Sequence, residues 1–248
     1  MVEDVKIALQ FLTRLPIHVD QHGGMAALAR AAWAFPIAGL VVGLAGAGAY
    51  GSAILLGLPT VMAAIVAITA TALVTGALHE DGLADTFDAL GGHADRERAL
   101  TIMHDSRIGT YGALALMIGV TMRIAALAAI AQPAAVMAAL VAAGCLSRAQ
   151  VAVTMARLSP ARRDGLGAAA GSASRRVAAG GCVLALVVTA TLSSWSLVPA
   201  VILVAVAVQL IMDRWTGSRL GGFTGDTLGA TQQLAEMACL ATFAAFWH

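Results

Sequence analysis

Apolar residues gather in seven windows along the chain, at about 32–56, 59–78, 112–131, 134–154, 177–193, 197–212 and 228–247. Each window is about 16–25 residues long and so predicts a helix able to cross a hydrocarbon layer ~30 Å thick, the shorter ones marginally. The breaks between paired windows are short and carry turn chemistry: Gly57-Leu58-Pro59, Gln132-Pro133, and Ser193 to Pro199 around an interfacial Trp195. Gly39 and Gly43 form a G-x-x-x-G pair, which lets two helix backbones approach closely. Residues 1–20 are different, because Glu3, Asp4, Lys6 and Arg14 interrupt the apolar positions. That excludes a cleavable signal peptide. Val5, Leu9, Leu12 and Leu15 can share one face, so an amphipathic helix lying in the membrane interface is expected there. The pattern as a whole predicts an all-α fold: a polytopic transmembrane bundle of about seven spans, forming a single domain over 1–248.

Charge adds direction to this picture. Of the 248 residues 59% are hydrophobic and 12% charged, about half the charged share of a soluble domain, and mean hydropathy is +0.84. The fifteen Lys and Arg residues fall in the N-terminal segment and in regions 79–111, 148–176 and 213–226, apart from Arg123 within a span. The three short turns hold none. Positive charge marks the cytoplasmic side, which predicts a cytoplasmic N-terminus, cytoplasmic loops at 79–111, 155–176 and 213–226, and a C-terminus outside. A net charge of +1 without a basic stripe excludes nucleic acid as a partner. Cys145, Cys182 and Cys239 lie in apolar stretches without C-x-x-C spacing and read as small buried residues. The small, polar 164–176 stretch reads as a loop, and the chain shows no second domain and no repeat of fixed period.

Every polar cluster lands on the predicted cytoplasmic face. In H-E-D-G-L-A-D-T-F-D (79–88), Asp81, Asp85 and Asp88 stand at i, i+4 and i+7, one face of a helix. Three unpaired carboxylates this close repel one another and raise one another's pKa values. A bound divalent cation resolves the conflict, and an all-oxygen site suits magnesium better than zinc; the alternative is a solvated acidic helix end. A second motif, H-D-S-R-I-G-T-Y-G (104–112), adds Asp105 as a fourth candidate ligand and Arg107 as a planar fork for phosphate. Ser106 and Thr110 are either helix caps or part of a phosphate cradle. The third, G-G-F-T-G-D-T-L-G-A (221–230), opens the last window with Thr224, Gly225 and Asp226. It lacks the ending of a P-loop. Glu236, deep in the same window, has Arg123 as its candidate partner, whereas Arg148 after Ser147 can reach an anionic ligand. An ion path through Asp81, Asp85 and Glu236 would need polar residues reaching the outer side, and the sequence has almost none.

F-L-T-R-L-P (11–16), H-E-D-G-L-A-D-T-F-D (79–88), I-M-H-D-S-R-I-G-T-Y-G (102–112), S-R (147–148), D-G-L-G (164–167) and G-G-F-T-G-D-T-L-G-A (221–230) occur in this order. Over nearly the whole length the chain thereby resembles the cobalamin synthase family, adenosylcobinamide-GDP ribazoletransferase. It departs from the family pattern at Glu80, where Leu is common, and at His104, where Lys or Arg is frequent. CDP-alcohol phosphotransferases also place spaced aspartates at a helix end, but their pattern wants Arg where Asp85 follows Ala84. The resemblance implies a magnesium-dependent transfer in the bacterial cytoplasmic (inner) membrane, with the active site facing the cytoplasm. α-Ribazole, or its 5′-phosphate, attacks the activated phosphate of adenosylcobinamide-GDP and releases GMP. It further implies Asp81, Asp85, Asp105 and Asp226 as metal ligands and Arg107 on the diphosphate. Ser106, Thr110, Arg148, Thr224 and Gly225 are expected to contact substrate, and Asp88 or His79 is the candidate general base. The implied partners are the two substrates and the lipid bilayer. A homo-oligomer, or association with other enzymes of the cobalamin pathway, is compatible with this reading.

Overall fold

Each of the seven apolar windows coincides with a helix in the computed structural model, which describes residues 1–19, 26–91, 95–105, 107–162, 165 and 170–246. Helix α1 (Val2–Leu12) precedes α2 (Ala26–Ala31), which passes through one 3-10 turn into α3 (Phe35–Leu55). Then follow α4 (Thr60–Thr75), α5 (Leu78–Leu90), α6 (Arg96–Ile102), α7 (Thr110–Ile130) and α8 (Pro133–Arg157). The last three are α9 (Arg175–Leu192), α10 (Val198–Leu220) and α11 (Gly225–Phe246). Among the described residues there is no strand, only an isolated bridge between Pro160 and Phe223.

Among the described residues five segments are long and apolar enough to cross a membrane: Ala27–Leu55, α7, α8, α9 and α10. Helices α4 and α5 qualify only as a pair, bent by 89°, which makes a sixth. Helix α11 does not qualify, because Asp226, Gln232, Gln233 and Glu236 lower its hydropathy. Those residues are tolerated because α5, α7, α8 and α10 surround α11 and shield it from lipid. By length and composition, five or six of the seven expected spans therefore qualify among the described residues. The chain is a multi-pass helical bundle. Its outer helices present apolar side chains outward, among them Leu73, Met117, Ile118, Leu203 and Ile211, a surface suited to lipid.

Two regions expected as loops are largely helical. Most of 79–111 forms α5 and α6, and α10 continues through Leu220 into the expected 213–226 loop. The apolar run at 59–78 hides the change of direction inside it. Gly76 (φ +66°) and Ala77 (φ 57°) adopt the left-handed conformation, which ends α4 and starts α5 at a sharp angle. The Arg14 amide donates to Val74 O at 2.7 Å, holding α1's exit against this corner.

Close backbone approach organises the centre. A side chain at Gly39 would collide with the Gly144 carbonyl of α8, and one at Gly43 would come within 2.7 Å of Val141 Cα. The G-x-x-x-G pair read from the sequence thus packs α3 on α8. Helix α8 is the most enclosed span, with 89% of its most apolar stretch buried against 22% for α9. Charges inside the bundle are paired. Arg123 meets Glu80 at 3.0 Å and Glu236 at 3.5 Å, and Arg148 meets Glu236 at 3.5 Å. The Gln232 side-chain amide donates to Glu236 at 2.6 Å and to Ser147 at 3.0 Å.

This packing predicts a sharp contrast between two glycines of α3. Gly39→Ala should lower the thermal unfolding midpoint in detergent by an amount equivalent to about 1–3 kcal/mol. Gly48→Ala, with nothing within 4 Å, should leave the midpoint unchanged or slightly raise it. Equal midpoints for the two variants would refute the α3–α8 contact.

Candidate active site

The carboxylates of α5 come close to Asp226 of the third motif because two glycines remove the space between helices. A Cβ on Gly82 would lie 2.7 Å from Asp226 O, and one on Gly229 would lie 3.3 Å from His79 Cα. Helices α5 and α11 therefore touch backbone to backbone, and Asp85 has Asp81, Asp226 and, further off towards α7, Asp88 as like-charged neighbours. A cavity of about 550 Å³ opens here, lined by Glu80, Asp81, Asp85, Asp105, Arg107 and Asp226. All four expected metal ligands line it. Among the described residues no three His, Cys, Asp or Glu side chains are drawn into a ready-made metal cage.

Asp226 is held from outside its own helix. Its Oδ2 accepts from Arg162 Nη2 at 2.8 Å and from the Thr224 hydroxyl at 3.3 Å. Arg162 also contacts the His104 ring. In the sequence Arg162 is one more charge of the 148–176 region, 64 residues from Asp226. Backbone bonds join the two segments: Ala161 N donates to Phe223 O at 2.8 Å, and Phe223 N donates to Ser159 O at 3.0 Å. Arg96 reinforces the junction by donating to Leu220 O at 2.7 Å and to Ala161 O at 2.5 Å. No local motif announces such a pairing.

Asp105 and Arg107 close on each other. Nε and Nη2 of Arg107 donate to the two carboxylate oxygens at 3.0 and 2.6 Å. These side-chain bonds first, and the Arg107 backbone amide second, hold the Asp105 carboxyl at about 2. It is thus ionised throughout the neutral and mildly acidic range, and protonation releases Arg107 only as the pH falls towards that value.

Asp88 lies on the same face of α5 but points elsewhere. Its Oδ2 accepts from Gly109 N at 2.7 Å and its Oδ1 from Gly112 N at 2.8 Å, so it caps the start of α7 from a neighbouring helix. Gly109 and Gly112 leave the room this needs, since a Cβ on either would run into the Asp88 carboxylate. Thr110 is exposed in the first turn of α7. Thr224 is buried, and its hydroxyl receives the Thr227 amide at 3.2 Å as the cap of α11. Gly225 and His79 line a second, smaller cavity beside the first. Arg148 lines neither; it is 1% exposed and committed to Glu236 and to Gly144 O. Ser106 and most of the 164–167 motif lie outside the described residues.

The sequence profile of the cobalamin-5-phosphate synthase family matches residues 4–244. The chain belongs to that family. It is 49% identical over 247 residues to an adenosylcobinamide-GDP ribazoletransferase of Bradyrhizobium diazoefficiens, covering 99% of this chain and 95% of the relative. Proteins of the same name from Rhizobium etli and Mesorhizobium japonicum are 44% and 42% identical, covering 97% of this chain and 96% and 92% of theirs. No solved structure matches the chain. For this family member the geometry separates residues that bear on the larger cavity (Asp81, Asp85, Asp105, Asp226 and Arg107) from Asp88 and Thr224, which hold helix starts in place.

Gly112→Ala distinguishes holding from proton transfer at Asp88. The variant keeps the carboxylate but displaces it from the α7 amides, so it should destabilise the protein by about 1–2 kcal/mol, as loss of a helix cap does. Activity should fall alongside that of Asp88→Ala. Full activity of Gly112→Ala with an inactive Asp88→Ala would assign Asp88 to the chemistry instead.

Proposed function

We propose that the chain transfers the adenosylcobinamide phosphate moiety of adenosylcobinamide-GDP to α-ribazole or its 5′-phosphate, releasing GMP. The observation that carries this reading is the larger cavity. Five carboxylates from three separate segments, Glu80 among them, line it with Arg107, in a chain nearly half identical to a protein named for that reaction. In the transfer a ribose hydroxyl oxygen forms a bond to the activated phosphorus, and the anhydride bond to GMP breaks. The hydroxyl proton leaves to a cavity carboxylate or to water. A loose phosphoryl-transfer transition state leaves the protein mainly positioning and charge stabilisation. Arg107 matches the diphosphate in charge and shape, and Arg162 keeps Asp226 oriented.

Magnesium fits this donor set. All the candidate ligands are carboxylate oxygens, spread around an open space and not gathered into a cage. That is what an ion keeping several waters and bridging to phosphate requires. Asp81, Asp85 and Asp226 would hold it, with Asp105 at the rim. When bound, it would neutralise charge on the bridging and leaving oxygens.

The same reading places the site on the cytoplasmic face of a bacterial inner membrane. It takes α4 and α11 as crossing with the other five, N-terminus inside and C-terminus outside. Backbone and side-chain bonds support it by tying together the ends that would share that face. Arg14 bonds at the end of α4, Ala173 bonds Met155 O at the end of α8, and Arg96 bonds Leu220 O at the end of α10. At the opposite end the Tyr50 hydroxyl bonds Ala131 O in the α7–α8 turn.

Membranes holding the protein, given adenosylcobinamide-GDP, α-ribazole and magnesium, should release GMP and form a corrinoid product. Chelation should abolish the reaction and added magnesium restore it. Asp81→Asn and Asp85→Asn should each lower kcat/KM by about 10²-fold or more, equivalent to about 3 kcal/mol of lost transition-state stabilisation. Unchanged rates in both variants would remove the metal-ligand assignment.

A further inference from the structure

Two cavities meet at the carboxylates, and they differ in character. The smaller, of about 210 Å³, is the more enclosed and lies among α1, α5, α8 and α11. Phe11, Leu12, Val151 and Leu228 make one side of it apolar. His79 lines it too, 3% exposed, and neither ring nitrogen has a hydrogen-bond partner. A buried imidazole left unpaired costs about 1–3 kcal/mol, so an occupant that pairs with it is favoured. Asp81 and Asp226 line both cavities and form the seam between them. At about 210 Å³ the smaller space falls below the ~300–1,000 Å³ of pockets for drug-sized ligands. It suits one flat ring system, not a macrocycle or a diphosphate. Among the described residues the one guanidinium on its lining, Arg162, is already bonded to Asp226.

We propose that the smaller cavity is the subsite for the base of the acceptor nucleoside, an uncharged bicyclic aromatic ring. The assignment rests on the transfer reading above. Phe11 and Leu12 cover the apolar face of the ring. A benzimidazole nucleoside keeps one unsubstituted ring nitrogen, an acceptor, and His79 donates an N–H to it. The ribose then lies towards the seam at Asp81 and Asp226, where its hydroxyl meets the phosphate held in the larger cavity. His79 is accordingly a positioning residue and not the proton acceptor.

Steady-state GMP release by the full-length protein tests this, with each substrate varied in turn. For His79→Phe and Phe11→Ala the KM for α-ribazole should rise about tenfold or more, as for loss of a built-in contact. The KM for adenosylcobinamide-GDP and kcat should stay within about twofold. An indole ribonucleoside, which lacks the acceptor nitrogen, should be a poor substrate for the wild type, and His79→Phe should no longer discriminate against it. A collapse of kcat at constant KM would place His79 in the chemistry and overturn the proposal. A change confined to the corrinoid substrate, or no change at all, would also overturn it. Should His79→Phe fail to fold, Phe11→Ala and the indole nucleoside with wild-type enzyme carry the test. If the wild type releases no GMP, the transfer reading falls by itself. Calorimetric binding of α-ribazole to wild type and Phe11→Ala then decides the subsite: weaker binding by the variant supports it, equal or no binding refutes it.

Discussion

Glu236 sits inside the bundle at 6% exposure, between the guanidiniums of Arg123 and Arg148, and Glu80 shares the same Nη1 of Arg123. Two positive and two negative groups thus balance where neither sign could stand alone. Desolvation offsets much of the attraction in such pairs, so their net contribution to stability is small, whereas stranding one member costs about 3–5 kcal/mol. Their geometric effect is larger. The four side chains come from α5, α7, α8 and α11, so satisfying them fixes how these helices are rotated against one another. Asp81 follows Glu80 directly, and with Glu80 turned towards Arg123 the Asp81–Asp85 side of α5 borders the cavity. The acidic site is in this sense the outward end of a buried ion-pair network.

Glycine supplies the distances that the charges require. Gly82 and Gly229 let α5 and α11 meet at their backbones, and Gly109 and Gly112 admit the Asp88 carboxylate to the start of α7. The result is a divided space. One part is open and acidic, the other enclosed and apolar, and Asp81 and Asp226 are common to both. A reaction that joins a phosphate to an alcohol needs two such approaches converging on one point.

Much of this was legible in the residues themselves. Long apolar windows fixed the helices, the i, i+4, i+7 spacing put three carboxylates on one face, and two lone charges in apolar surroundings, Arg123 and Glu236, predicted their own pairing. The reading was less sharp where a residue's partner lies far along the chain. Asp88 shares a helical face with Asp81 and Asp85, yet only the fold reveals that the α7 amides claim it. Arg162 and Arg148 were exchanged in importance: the exposed-looking loop arginine clamps Asp226, while the arginine expected to reach a ligand is spent on Glu236. The corner at Gly76-Ala77 lies at the end of an unbroken apolar run, and hydropathy carries no information about direction. Helix α11 read as a span like the others because its polar residues fall on a helix whose surroundings are protein, a distinction that composition alone does not make.

The position of α11 in the chain gives the assembly a temporal order. Synthesis proceeds from the N-terminus, so α5, α7, α8 and α10 are all made before the helix they enclose. Until α11 arrives, Arg123 and Arg148 are in the bundle without Glu236, the acidic cavity lacks Asp226, and Arg162 has no carboxylate to clamp. The earlier helices thus carry charges whose partner comes only with α11, and the helix that supplies it also brings Asp226 to the cavity. A protein built this way closes its charge balance and its acidic cavity with one and the same helix.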